Sequence, residues 1–377
     1  MKVLLAWNGP GSAAVRTVLL RRELPMLQQL SAEGVSPVVA LLGDPVRTAE
    51  ALEAAGIAVE VLPTPLPPAP SALRSLPSAV IHLRALIRRL EPDVMEGTEA
   101  IPAIALGLAA RGRRHKGVVV YHRQHLRGRL RIHAASWLAA RVTQRTIVFS
   151  EATRRAASVD DHTPLEHIEV ARSGSVAPRI VPPEEVAATR DSLGIAESAR
   201  VIGIVSRFRR EKGLDIVLRA LGSLRDIRDL HVVVAGEGPE QAALRELAAR
   251  APVPVHFVGH RDDVALWYAL SNVIVIPSRR ESFGRVATES MASARPVVAS
   301  RVGGLVEAVV DGETGLLAPP DDPEALAAVL RTILADRELA ARMGVAGRER
   351  YQSRFTITHM ATARKRAWER ALASVSA

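Results

Sequence analysis

The sequence predicts an α/β protein built from two Rossmann-like domains, and three observations carry that prediction. Short β-branched or apolar runs alternate with segments of helical periodicity along the chain, the pattern of parallel sheets covered on both faces. The first run, Lys2 to Trp7, leads through Gly9, Pro10, Gly11 and Ser12 into a helical pattern from Ala13 to about Glu33, the strand, glycine turn and helix that open a Rossmann-like unit. At 377 residues the chain has room for two such domains, each with its own core.

In the first domain the further strands are Ser36 to Leu42, Ile57 to Leu62, Asp93 to Met95, Val118 to Tyr121 and Thr146 to Phe149. The proline-rich stretch from Pro63 to Pro70 cannot be a central strand or a helix interior and is expected to be a loop. After it, Leu76, Val80, Leu83, Ile87 and Leu90 recur at helical spacing, with Arg84, Arg88 and Arg89 among them. A helix lying on a membrane surface has such a pattern, but its place between two strands suits a helix packed on the sheet. Pro178, Pro182 and Pro183 mark a linker near residue 178, and Glu184 to Gly194 is a helix leading into the second sheet. The strands there are Val201 to Val205, His231 to Ala235, Val255 to Val258, Val273 to Ile276 and Pro296 to Ala299. From Asp322 the chain is helical, ending in a helix from Ile357 to Ala373 whose Met360, Ala363, Ala367 and Ala371 form an apolar stripe.

Composition narrows the functional classes. Hydrophobic residues make up 48% and charged residues 24%, as in a soluble globular protein, and the lack of cysteine excludes disulfides and thiolate metal sites. The apolar run at the N-terminus is too short for a signal peptide, and nothing later reaches the ~18 apolar residues of a membrane span, so a cytoplasmic location is expected. Residues 1–180 hold 23 Lys+Arg against 15 Asp+Glu, whereas 181–377 hold 27 against 25. The basic excess therefore lies in the first half, with eight basic residues and no acid between Arg111 and Arg131. Such a run suits a nucleotide diphosphate, an anionic acceptor, peripheral contact with the inner membrane face, or simply a solvated surface. Nucleic acid is not an expected partner, because aromatics are only 3% and stacking platforms are scarce.

The stretch Glu281-Ser-Phe-Gly-Arg-Val-Ala-Thr-Glu289 follows the strand Val273 to Ile276 and reads as loop and helix. It puts one carboxylate ahead of the helix and another about one turn inside it, so both can face one crevice. The amides of Phe283 and Gly284 then lie at the helix start, where anionic or hydroxyl-rich ligands are held. Upstream stand Arg207, Lys212 and Gly213 after the strand Val201 to Val205, and downstream Gly303-Gly304, Glu307 and Asp311-Gly-Glu-Thr-Gly315. With these motifs the sequence resembles the family 4 retaining glycosyltransferases of the GT-B fold, from about Val201 to Asp322. The resemblance implies two Rossmann-like domains facing across a cleft, an acceptor domain over 1–178 and a nucleotide-sugar donor domain over 179–355. The last helix, 356–377, would cross back to the first domain.

It also implies roles. Arg207 and Lys212 would grip the donor diphosphate, Glu281 the sugar ring and Glu289 the ribose hydroxyls, while Gly11 and Gly236 let backbone approach the donor. A histidine at the end of a first-domain strand would touch the donor sugar or its phosphate. His122 is the closer match and His125 the reserve, with the acceptor loop at Leu126 to Arg131 beyond them. Ser173 stands where the family has asparagine, and Ala294 replaces a common glycine, read as a packing change. The implied reaction moves a hexosyl group from a nucleoside-diphosphate sugar to a hydroxyl acceptor of a glycan, lipid or small molecule. Diphosphate departure needs positive charge on the leaving group, and with no Asp-x-Asp pair in the chain Arg207 and Lys212 are expected to supply it without a metal ion or cofactor. No carboxylate suits a nucleophile's role, so same-face attack by the acceptor is expected. Two other readings stay open, a GT-B sugar-nucleotide epimerase and a non-catalytic sugar-nucleotide-binding protein.

Overall fold

The computed structural model describes residues 1–8, 13–42, 46–64, 72–111, 117–123 and 130–376. The chain divides into two compact units, Met1–Gly174 with Ile357–Ala377, and Ser175–Thr356.

The first unit runs β1 (Lys2–Asn8), α1 (Ala13–Ala32), β2 (Ser36–Leu42), α2 (Val46–Ala54), β3 (Ala58–Leu62), α3 (Ala72–Leu90), β4 (Val94–Thr98), α4 (Ala100–Ala110), β5 (Val118–His122), α5 (Leu130–Val142), β6 (Arg145–Val148), α6 (Glu151–Asp160) and β7 (Ile168–Val170). Among the described residues these strands form one parallel sheet in the order β3-β2-β1-β4-β5-β6-β7. The alternation of β1 explains how the sheet is covered: Val3, Leu5 and Trp7 point to one face and Leu4 and Ala6 to the other, all buried. On the first face lie Met26, Leu27 and Leu30 of α1; on the second lie Leu83, Leu86 and Ile87 of α3 and Leu106 of α4.

The second unit continues with α7 (Pro183–Ser192), β8 (Arg200–Val205), α8 (Leu214–Ala220), β9 (Leu230–Ala235), α9 (Gln241–Ala248), β10 (Val255–Gly259), α10 (Ala265–Leu270), β11 (Val273–Ile276), α11 (Arg285–Ala292), β12 (Val297–Ser300), α12 (Leu305–Ala308), β13 (Gly315–Ala318), α13 (Pro323–Ala335) and α14 (Arg337–Arg354). Its parallel sheet has the order β10-β9-β8-β11-β12-β13. The strand order reverses direction between β8 and β11, and in open α/β sheets such a switch point is where ligands bind, beyond the carboxyl ends of the strands.

The final helix, α15 (Ile357–Ser376), belongs to the first unit. Met360, Ala367 and Ala371 of its stripe are buried against the sheet, joined by Ala361 and the fully buried Trp368, while Ala363 is half-buried. Ala294 corrects one sequence reading. It sits at φ +53°, the left-handed region that costs a residue with a Cβ about 1–2 kcal/mol, so a glycine here would serve the backbone and not packing.

Candidate functional site

At the switch point of the second sheet, the loop after β8 meets the loop after β11. Gly213, at φ +66°, makes this meeting feasible, since a Cβ on it would stand 2.1 Å from the carbonyl oxygen of Pro277. The approach brings Lys212 Nζ to 2.7 Å from Glu281 Oε2, and Ser278 Oγ donates to the same oxygen at 3.3 Å. Arg279 clamps the loops together, donating to both Asp215 oxygens at 2.7 and 2.8 Å and to the Arg210 carbonyl at 2.8 Å. These Arg279 hydrogen bonds hold Asp215 below the usual carboxylate range.

The remaining second-unit residues gather around this pair of loops. Gly236, at φ +139°, lies against the Ser206 carbonyl, and a Cβ there would reach 1.8 Å from it, so the turn after β9 rests directly on the loop that carries Arg207. Arg207 is exposed, and its guanidinium has no acid partner among the described residues. Gly284, at φ +97°, precedes α11, and a Cβ on it would strike Leu305 Cδ2 at 2.5 Å. Phe283 is buried edge-on to Phe355 with ring centroids 5.7 Å apart, which fixes the backbone ahead of the helix. Among the described residues the amides of Phe283 and Gly284 donate to no protein acceptor. Inside α11, Glu289 accepts from Tyr268 Oη at 2.8 Å and from Arg285 at 2.9 Å. The structure thus brings Lys212, Glu281 and the helix start together and sets Glu289 within that helix, its carboxylate held by two donors.

In the first unit the sequence-predicted histidine lies in a buried cluster. His122 ends β5 but is wholly buried, with both ring nitrogens turned to protein groups. Arg364 of α15 donates Nη1 to Nε2 at 3.1 Å; a guanidinium cannot accept, so the ring proton sits on Nδ1, 3.4 Å from Glu96 Oε1. Nε2 is thus engaged by Arg364, while Nδ1 makes no hydrogen bond, and the structure sets the ring inside a buried charged cluster. Around it Arg364 Nη2 lies 2.9 Å from Glu96 and 3.6 Å from Glu23, Arg22 pairs with Glu23 at 2.5 Å, and Trp368 donates to Glu96 at 2.7 Å. Burial, reinforced by repulsion from Arg364, holds His122 down at about 4. Burial alone would raise Glu96, but Arg364, His122 and the hydrogen bond of Trp368 outweigh it and keep Glu96 at about 2. Gly11 and His125 lie outside the described residues, as do residues 112–116 and 124–129 of the basic run. At the switch point of this sheet, between β1 and β4, Glu99 is exposed at φ +87° and ψ 165°, a conformation that is nearly glycine-only. A strand-end glutamate carries no sequence signal for such strain.

Comparison with known proteins places this geometry. Residues 185–350 match the model for glycosyl transferases group 1, and residues 25–174 match that for glycosyltransferase family 4. The chain belongs to the family 4 glycosyltransferases. Its relatives include a D-inositol 3-phosphate glycosyltransferase of Streptomyces avermitilis, 37% identical over 232 residues, which are 55% of this chain and 49% of that protein. A glycogen synthase of Mycobacterium tuberculosis is 38% identical over 204 residues, 53% of this chain and 47% of the other. The alignments thus span about half the length of these curated relatives. Among solved structures, Anabaena HepE in complex with UDP superposes with a TM-score of 0.80 at 22% identity, over 97% of this chain and 99% of that one, and shows that the family 4 chain has the GT-B fold. Among its described residues, no cluster of three or more His, Cys, Asp or Glu side chains is arranged to hold a metal ion, and no helix is long and apolar enough to cross a membrane.

Proposed function

We propose that this family 4 chain transfers a hexosyl group from a nucleoside-diphosphate sugar to a hydroxyl acceptor, with retention of anomeric configuration and without a metal ion. The observation that carries the reading is the Lys212–Glu281 pair, 2.7 Å apart at the switch point of the second sheet, with the free helix-start amides of Phe283 and Gly284 beside it. A cation next to a carboxylate suits a donor that is anionic at one end and hydroxyl-rich at the other. Arg207 and Lys212 take the diphosphate, Glu281 and the two amides take the sugar hydroxyls, and Glu289 takes the ribose. Solved relatives hold UDP and UDP-glucose, which supports a donor of this class.

In the reaction the bond from the anomeric carbon to the diphosphate oxygen breaks, and its electron pair leaves with the diphosphate. The acceptor oxygen bonds to the same face of that carbon and passes its proton to the departing phosphate oxygen. Lys212 and Arg207 stabilise the charge that grows on the leaving group, which is the task a metal ion would otherwise perform. Relatives bear names that imply quite different acceptors, an inositol phosphate and glycogen, so the shared chemistry on the acceptor side is a hydroxyl. The reading puts the chain in the cytoplasm, with its basic first half available to an anionic acceptor or an anionic inner membrane face.

The test is a donor panel with Lys212→Ala. Loss of one charge-assisted contact to the leaving group costs about 2–4 kcal/mol, so turnover drops roughly 30- to 1000-fold. Product analysed by NMR carries the donor's anomeric configuration. Unchanged turnover in Lys212→Ala refutes the assignment of the site, and consumption of donor to an epimeric sugar nucleotide without acceptor favours the epimerase reading instead.

A further inference from the structure

At the amino end of the first sheet, away from the strand ends considered so far, lies a cavity of about 380 Å³ beside the first residues of β6, between the end of α5 and the turn after α6. Its wall is made mostly of hydrogen-bond donors. Gln144 Oε1 accepts the amide of Val119 at 2.8 Å, which fixes the orientation of the side-chain amide and leaves its Nε2 protons as the free end. Arg145 is held by donating Nε to Ser374 Oγ at 3.1 Å and Nη1 to the Glu166 carbonyl at 2.8 Å. Arg141 is exposed, with its guanidinium over the Trp137 ring at 5.3 Å. Among the described residues neither arginine has an acid partner. The acid in the wall, Asp161, is paired with Arg123 at 2.6 Å.

Thr163 supplies the second, independent observation. It is 6% exposed, lines this cavity, and its hydroxyl has no hydrogen-bond partner. Buried hydroxyls are satisfied in the great majority of cases, so an unpartnered one on a cavity wall points to a group that enters the cavity. His162 and His167 stand exposed at the rim, His162 at the strained φ of +50°.

We propose that this cavity is an anion site for phosphate, free or as the monoester of a small molecule, distinct from the donor site of the second unit. Arg141 and Arg145 supply charge, and Gln144 and Thr163 supply neutral donors to the phosphate oxygens, the combination that binds phosphate by charge-assisted hydrogen bonds. The cavity is larger than a bare phosphate needs, which leaves space for an attached organic group. Because Arg145 also holds Ser374 near the end of α15, an occupant draws on a residue that already anchors that helix.

The experiment is calorimetric titration of the full chain with inorganic phosphate and with glycerol phosphate, at constant ionic strength set by chloride. Saturable binding is expected in the wild type and persists in Lys212→Ala, which removes one cation of the donor site. Thr163→Val, which keeps the shape of the side chain, and Arg141→Gln, at an exposed position, each weaken it about tenfold. Tighter binding of the ester assigns the ligand to phosphorylated small molecules and equal binding assigns it to free phosphate; both support the site. Absence of saturable phosphate binding overturns the proposal, as does binding that is lost in Lys212→Ala yet untouched by Thr163→Val.

Discussion

Replacing Arg364 by methionine tests what holds α15 to the first unit. The arginine is 1% exposed, and Glu23 and Glu96 beside it are wholly buried. Four charges balance in this cluster, two from Arg22 and Arg364 and two from Glu23 and Glu96, while His122 stays neutral. Arg364→Met keeps the bulk of the chain but leaves Glu96 with the hydrogen bond from Trp368 and a neutral imidazole 3.4 Å away. Breaking a buried pair from one side costs about 3–5 kcal/mol, mostly the penalty of the carboxylate left unpaired. For a unit of about 150–250 residues each kcal/mol shifts the melting temperature by about 2–4 °C, so a fall of roughly 6–20 °C is expected.

Urea unfolding followed by fluorescence reads this directly, since Trp7 and Trp368 are buried in the first unit. The double variant Arg364→Met with Glu96→Gln removes the stranded charge while keeping an acceptor for Trp368, and it should regain at least half of the loss. Such recovery separates a charge effect from a packing effect. A loss below about 1 kcal/mol for the single variant, well under the cost of a broken buried pair, or a double variant no better than the single, refutes this account of the cluster.

Further outcomes follow from the same physics. The folded pKa of His122, about 4, is below the ordinary 6.5, so its contribution is complete above pH 6.5 and is lost as pH falls from there through 4; Glu96, at about 2, extends the loss below pH 4.5. His122→Gln should remove the upper part of this dependence in an unfolding series across pH, and an unaltered slope between pH 6.5 and 4 would count against it. Ala294→Gly relieves the left-handed strain at φ +53° and should raise the stability of the second unit by about 1 kcal/mol, read by its urea midpoint. Dialysis against excess EDTA should leave transfer activity intact, and loss restored by magnesium or manganese would argue for a metal ion on the leaving group.

The second unit was far more legible in the sequence than the first. Its candidate site residues lie in loops directly after strands or, for Glu289, in the helix that follows such a loop, so Arg207, Lys212, Glu281 and Glu289 appear as local motifs with glycines at fixed offsets. The strands were found wherever β-branched residues run together, as in Val273 to Ile276. β13 was missed because Gly315-Leu-Leu-Ala318 has no β-branched residue. Its glycine is required by close approach, since a Cβ would stand 2.2 Å from the Val297 carbonyl. Arg364 was illegible for a different reason. An arginine in a basic helix looks like a solvated side chain, and only the fold brings it to Glu96 and His122, hundreds of positions away.

The burial of His122 depends on the same long-range pairing. A histidine at the carboxyl end of a strand has two environments open to it, the crevice beyond the sheet or the layer between sheet and helix, and the residue after next decides nothing about which. What selects the inner position here is α15, which brings a guanidinium as hydrogen-bond donor to Nε2 and an indole to share Glu96. Without the arginine, Nε2 would also be left without a hydrogen-bond partner in the buried layer, an added cost. The C-terminal helix therefore determines the tautomer of a side chain on β5. Lys212 needs no such distant help: Gly213 and Pro277 bring it to Glu281 through contacts between two loops at neighbouring strand ends. Local geometry makes the Lys212–Glu281 contact readable from sequence, whereas the long-range charge pairing around His122 has no local signal.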